Sequence, residues 1–111
     1  MILNEHAAGD VAVIEVNGRI DSANAPKLQE RVAGMLTAGK PSVLIDLSKV
    51  EYISSAGFRV LLLLARQAGQ AKSRLVLCGL SAKVRQLFDL GGFLDLFPIT
   101  HTQEEGIAAA R

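Results

Sequence analysis

The sequence contains no tryptophan, one tyrosine and one cysteine, and almost no excess of either charge. The lone Cys78 excludes an intrachain disulfide. Its place in the apolar run Leu75-Val76-Leu77-Cys78 marks it as a small buried thiol, which fits a reducing cytoplasm. Twelve basic residues against eleven acidic ones leave a formal net charge of +1, too little to gather nucleic acid or an anionic membrane surface. Partners must therefore be recognised by local shape and chemistry, with no direct nucleic-acid binding. The longest leucine run, Val60 to Ala65, falls far short of the roughly 20 apolar residues of a membrane span. The opening Met1-Ile2-Leu3-Asn4-Glu5-His6 also lacks the basic stretch and apolar segment of a secretory signal, so a soluble cytoplasmic protein without membrane insertion is expected.

Catalytic groupings are missing too. The chain shows no pairing of a nucleophile with a base, no phosphate-cradling loop and no cluster of metal ligands. His6 and His101 stand apart from any Cys, His or carboxylate at ligand spacing and receive no role. Gly79-Leu80-Ser81 and Gly91-Gly92-Phe93 match neither a dinucleotide fingerprint nor a Walker loop, so their glycines read as punctuation. No enzymatic activity, cofactor or metal is expected.

What the chain has in quantity is aliphatic residues: 50% of its 111 residues are hydrophobic and only 5% aromatic. That suffices for one domain, residues 1–111, with a core of Leu, Val, Ile and Ala filled in by Phe. Ile2 to Ala7, a turn at Gly9-Asp10 and Val11 to Val16 read as a hairpin, which Asn17-Gly18 ends or bends. After a loop with Asp21, Ser22 and Asn24, Pro26 suits the first turn of a helix over about Ala25 to Ala38. Its stripe is Leu28, Val32, Met35 and Leu36, and Gly39 stops it. Ser42 to Leu47 is a nearly continuous apolar run, as in a central strand covered on both faces. A second helix follows from Ser54 to about Gly69, then a strand over Arg74 to Cys78 and a helix capped by Ser81, with Val84, Leu87 and Phe88 inward and Gly91-Gly92 at its end. Leu94 to Phe97 reads as a short strand closed by Pro98, and Thr102-Gln103-Glu104-Glu105 as a capping box that opens a fourth helix. The pattern predicts an α/β domain whose mixed sheet has an antiparallel N-terminal hairpin and later parallel crossovers, packed by about four helices.

The segment joining the central strand to the second helix carries the most information. Ser54 suits the cap, and Ser55 opens the first turn, where a phosphate would meet the positive end of the helix dipole and unpaired N–H groups. At a 3.6-residue period Phe58, Leu61, Leu62, Ala65 and Ala68 form the core face, while Arg59, Arg66 and Gln70 gather on a polar one. Arg59 lies four residues after Ser55, close enough for their side chains to approach. Val60 and Leu63 fall near that polar arc. They either pack under a neighbouring element or form an apolar contact surface beside the serine.

Ile53-Ser54-Ser55-Ala56-Gly57-Phe58-Arg59-Val60 resembles the signature of anti-sigma factor antagonists, the sporulation-type STAS domains. Gly18-Arg19-Ile20-Asp21 resembles that family's Gly-x-Leu-Asp turn, Ile45-Asp46-Leu47-Ser48 the end of its central strand, and Cys78-Gly79-Leu80-Ser81 with Val84, Leu87-Phe88-Asp89 and Gly92 its distal half. The resemblance implies a non-enzymatic partner switch. In the family the unphosphorylated antagonist binds a GHKL-type serine kinase that is also the anti-sigma factor, phosphorylation ends the interaction, and a PP2C-like phosphatase restores it. The modified serine stands two residues before the glycine of an Asp-Ser-Ser/Thr-Gly pattern and so aligns with Ser55; here Ser54 replaces the usual Asp and Ala56 the following hydroxyl residue. Asp21 matches a loop aspartate that takes part in the kinase interaction. The resemblance thus implies a partner surface of Asp21, Ser54, Ser55, Gly57, Arg59 and Leu63. The alternative is a STAS docking subunit of a stressosome-like or transport-associated complex, since function resides in the site and not in the fold. A small hydrolase using Ser55 would need a base within hydrogen-bond reach.

Overall fold

The β-branched runs at the start of the chain pair as expected. In the computed structural model, which describes residues 1–111, β1 (Ile2–Ala8) and β2 (Val11–Ile20) form an antiparallel hairpin across Gly9-Asp10. Next come α1 (Ala25–Thr37), β3 (Ser42–Ile53), α2 (Ser55–Gln70), β4 (Arg74–Cys78), α3 (Ala82–Leu90), a 3-10 turn over Leu94–Leu96, β5 (Ile99–Thr100) and α4 (Gln103–Ala110). The sheet has the spatial order β1-β2-β3-β4-β5, and every pairing after the hairpin is parallel. The α/β class, the mixed sheet and the four helices agree with the sequence pattern.

Alternation along the strands divides the interior. Ile14, Val16, Ile45, Leu47, Leu75 and Leu77 face a core shared with α1, α2 and α3, whereas Val11, Val13, Leu44, Val76 and Cys78 face the other way, towards Ala110 and Ile107 of α4. Both faces of the central strands are therefore covered, which explains their continuous apolar sequence.

Two expectations are corrected and one open alternative is resolved. The central strand continues six residues past Leu47, to Ile53. Beyond Asp46 it has lost β4, whose last pair is Asp46 with Cys78, but it keeps β2 as far as Ile20 with Ile53. The sheet thus ends in a two-stranded arm, half solvated, and this is why apolar alternation fades there. Second, β2 is bent and not ended at Asn17-Gly18: the register shifts between Glu15 and Asn17 and again between Gly18 and Arg19, and Gly18 adopts φ +110°, a conformation that disfavours any side chain. Third, Leu94–Leu96 is a 3-10 turn, and the short strand lies after Pro98. Phe97 drops into the core against Phe88, and the Pro98 carbonyl accepts from the Leu77 N–H at 2.9 Å, which starts the pairing with β4.

Candidate functional site

The β2/β3 arm carries the residues singled out by sequence to one end of the sheet. Ile20 and Ile53 are register partners, and the Ser54 N–H donates to the Ile20 carbonyl at 2.9 Å. The chain leaves both strands at this edge, so Asp21 and Ser54 follow neighbouring residues into their helices.

The two serines have different tasks. Ser54 is the N-cap of α2; its backbone is extended and its hydroxyl accepts from the Gly57 N–H at 3.3 Å. Ser55 is the first helical residue and is exposed, and its hydroxyl takes no part in the capping bonds. Gly57 is buried beneath this turn: a Cβ there would lie 2.7 Å from Cγ2 of Ile53 and 2.8 Å from Cγ2 of Ile20. Gly57, expected on a partner surface, is thus buried within the fold. Gly57 lets the helix approach the strand ends and so sets the height of Ser55 above the sheet.

Asp21 is tied into its turn. Its Oδ1 accepts from the N–H groups of Ala23 at 3.0 Å and Asn24 at 3.2 Å, while its own N–H donates to Asn24 Oδ1 at 2.9 Å. Asn24 Nδ2 in turn donates to the Arg19 carbonyl at 2.9 Å. This closes an Asx turn and leaves the second carboxylate oxygen outside these bonds.

The face of α2 is rotated from the expected stripe. Gly57, Phe58, Val60, Leu61, Leu64 and Ala68 are buried, whereas Leu62 and Ala65 are only half-buried. Packing of α1 along α2 widens the covered arc and takes in Val60 and Leu64. Of the two residues left between alternatives, Val60 packs inside and Leu63 is 43% exposed. Arg59 is exposed on the flank next to Ser55.

A feature not foreseen from sequence joins this edge. An open groove of about 440 Å³ runs between α2 and α3, lined by Tyr52, Ile53, Ser55, Phe58, Arg59, Leu62, Leu87, Gly91 and Phe93. Phe93 stacks on Phe58 with centroids 4.7 Å apart, and Phe58 meets Phe88 edge-on at 5.0 Å. The Arg19 guanidinium lies 4.7 Å from the centroid of the Tyr52 ring, its register partner. The available signal was the set of four phenylalanines, all of which meet in one chain of ring contacts although they are spread from Phe58 to Phe97. No group of three or more His, Cys, Asp or Glu side chains is gathered as metal ligands. No helix is long and apolar enough to cross a membrane.

Away from this edge, Gln103 Nε2 donates to Glu15 Oε2 and Asp46 Oδ2, each at 2.8 Å, on the α4 face of the sheet. Asp46 Oδ1 also accepts from the Ser48 N–H at 2.9 Å. Burial, the Asp46 charge and a hydrogen bond to Asp46 push the neighbouring Cys78 thiol up to about 12, with Glu15 adding to the effect. The thiol is therefore held neutral and unreactive.

The comparisons with known proteins agree with this geometry. The family model for the STAS domain matches residues 4–106. BtrV of Bordetella bronchiseptica, described as an anti-sigma factor antagonist, is 43% identical over 94 residues, covering 85% of this chain and 81% of its own. The anti-sigma-B factor antagonist of Listeria monocytogenes is 34% identical over 92 residues, covering 83% of this chain and 81% of its own. Among solved structures, an anti-sigma factor antagonist from Mycobacterium paratuberculosis superposes with a TM-score of 0.89 at 25% identity, over 99% of this chain and 93% of that one. With its sheet order, its serine-capped second helix and these relatives, the chain belongs to the STAS domain family, among the anti-sigma factor antagonists.

Proposed function

We propose that this protein is a phosphorylation-controlled partner switch. Its unphosphorylated form binds a GHKL-type serine kinase that doubles as an anti-sigma factor; phosphorylation of Ser55 releases it, and a PP2C-like phosphatase resets it. The exchange takes place in the cytoplasm, where ATP is available to the kinase. The observation that carries this reading is the division of labour at the start of α2: Ser54 holds the cap, so the exposed Ser55 hydroxyl is free to be modified without unravelling the helix. A phosphate there gains from the helix dipole and from Arg59 one turn on, so the modified form stays folded. Asp21, Ser54, Arg59 and Leu63 then supply the surrounding partner surface, with Gly57 supporting it from below. Electrostatics at this edge, and not refolding, ends the interaction.

Incubation with the GHKL-type kinase of the same genome and ATP, followed by mass spectrometry, tests the reading. One phosphate on Ser55 is expected. Ser55→Ala should keep kinase binding and lose at most about 1 kcal/mol of stability, because the cap remains, while taking up no phosphate. Full phosphate incorporation in the Ala variant would move the site elsewhere.

A further inference from the structure

The groove between α2 and α3 is not accounted for by a serine and a turn aspartate. Its floor and walls are the apolar parts of Tyr52, Phe58, Leu62, Leu87 and Phe93, and Arg59 is its only charged lining residue. It is built by design of the sequence and not by loose packing. A Cβ at residue 91 would come within 2.4 Å of Cε2 of Phe93, so the Phe93 ring can lie across Gly91 and stack on Phe58 only because that position has no side chain. The volume of about 440 Å³ is in the range of sites that bury a whole apolar group.

Two observations identify the occupant. Ser55 lines the groove, so any protein whose active site reaches the Ser55 hydroxyl covers the groove within the same footprint. The lining also holds one guanidinium, that of Arg59, and no carboxylate. An apolar site with a positive rim is complementary to an apolar side chain flanked by a carboxylate. We infer that the α2–α3 groove receives such an anchor from the kinase, with Arg59 as its counter-charge, and that phosphate on Ser55 expels it by reversing the charge of the groove. The inference rests on the partner-switch reading above and assigns the contact that makes it reversible.

The charge count gives the mechanism of release. Before modification the groove presents the single positive charge of Arg59. A phosphoserine brings about −1.5 to −2, which outweighs one guanidinium. Arg59, four residues on, turns to the phosphate, and the carboxylate of the partner is left facing net negative charge without its own partner. Affinity falls although the backbone of the antagonist stays as it was.

Isothermal titration of the unphosphorylated protein with the same GHKL-type kinase in ADP tests this, with circular dichroism to establish folding. Leu62→Asp and Arg59→Glu should each weaken binding by about tenfold or more, and Arg59→Lys by much less. Lys83→Glu, an equal charge reversal outside the groove, should bind as the wild type does. If folded Leu62→Asp and Arg59→Glu bind normally and are phosphorylated on Ser55 at the normal rate, the groove is not the anchor site and the inference fails, while the partner switch stands. If the wild type is neither bound nor phosphorylated, the partner-switch reading itself fails and takes the groove with it. If sedimentation shows self-association that Leu62→Asp abolishes with kinase affinity unchanged, the groove belongs to a second copy of this chain and the inference is again overturned.

Discussion

The two faces of the sheet are covered in different ways. Three helices seal one face around a cluster of 24 buried residues, whereas on the other α4 alone closes a cluster of six, its own Ala110 included. The same strands supply both: Ile14 and Ile45 point into the larger core, and the next residues, Glu15 and Asp46, point to the α4 side. The first face is fixed by shape, because its glycine and phenylalanine contacts leave no freedom to α2 and α3. The second adds polar pairing to close packing: Gly106 of α4 sits directly against Leu44, while one amide holds two carboxylates and a neutral thiol completes the cluster. The proposed switch surface lies where the shape-fixed face reaches solvent. That is a sound position for a site which must alter its charge and keep its geometry.

Truncation of the large core should have the greatest effect. Phe88 is fully buried and joins Phe58 to Phe97, so Phe88→Ala should lower the free energy of unfolding in urea by about 3–5 kcal/mol. A loss smaller than that from any change on the α4 face would break the contrast between the two sides. Overpacking comes next: Gly57→Val forces a side chain against Ile20 and Ile53 and should destabilise by about 3 kcal/mol, lifting the start of α2 and weakening kinase binding as well. Wild-type stability in that variant would mean that the helix start is loosely held.

On the α4 face, Gln103→Leu removes the only side-chain donor shared by Glu15 and Asp46, with an expected loss of about 2 kcal/mol at neutral pH. Amide exchange should accelerate in α4 and remain slow in α2; uniform acceleration would show that the two covers open together. The smallest effect concerns Cys78. Its thiol titrates near 9.0 when unfolded and is pushed up to about 12 in the fold. Between these values the unfolded chain has released a proton that the folded chain retains, so stability falls as pH rises above about 9. From pH 8 to pH 10 the loss should be on the order of 1 kcal/mol, and Cys78→Ala should remove it. An unchanged pH profile in that variant would assign the alkaline loss to other groups.

Much of this was legible along the chain. The α1 stripe of Leu28, Val32, Met35 and Leu36, the Ser81 cap and the Thr102–Glu105 capping box act within one or two turns and appeared as read. Leu94 to Phe97 did not, because a short apolar run is equally compatible with a strand and a tight turn, and the choice fell to the fit of Phe97 against Phe88. The strand extension to Ile53 was hidden for a related reason: a two-stranded arm with one solvated side leaves no continuous apolar pattern.

The sequence by itself determined the alternation of strands and helices, the caps, the family and the candidate serine, all of which depend on neighbours close along the chain. Tertiary structure decided that Gly57 is a buried spacer between α2 and the strand ends, that Val60 turns inward while Leu62 borders a groove, and that Gln103 reaches the carboxylates of two distant strands. Each of these depends on the distance between elements far apart in sequence, and that distance is set only when the helices close against the sheet and side chains must share one space.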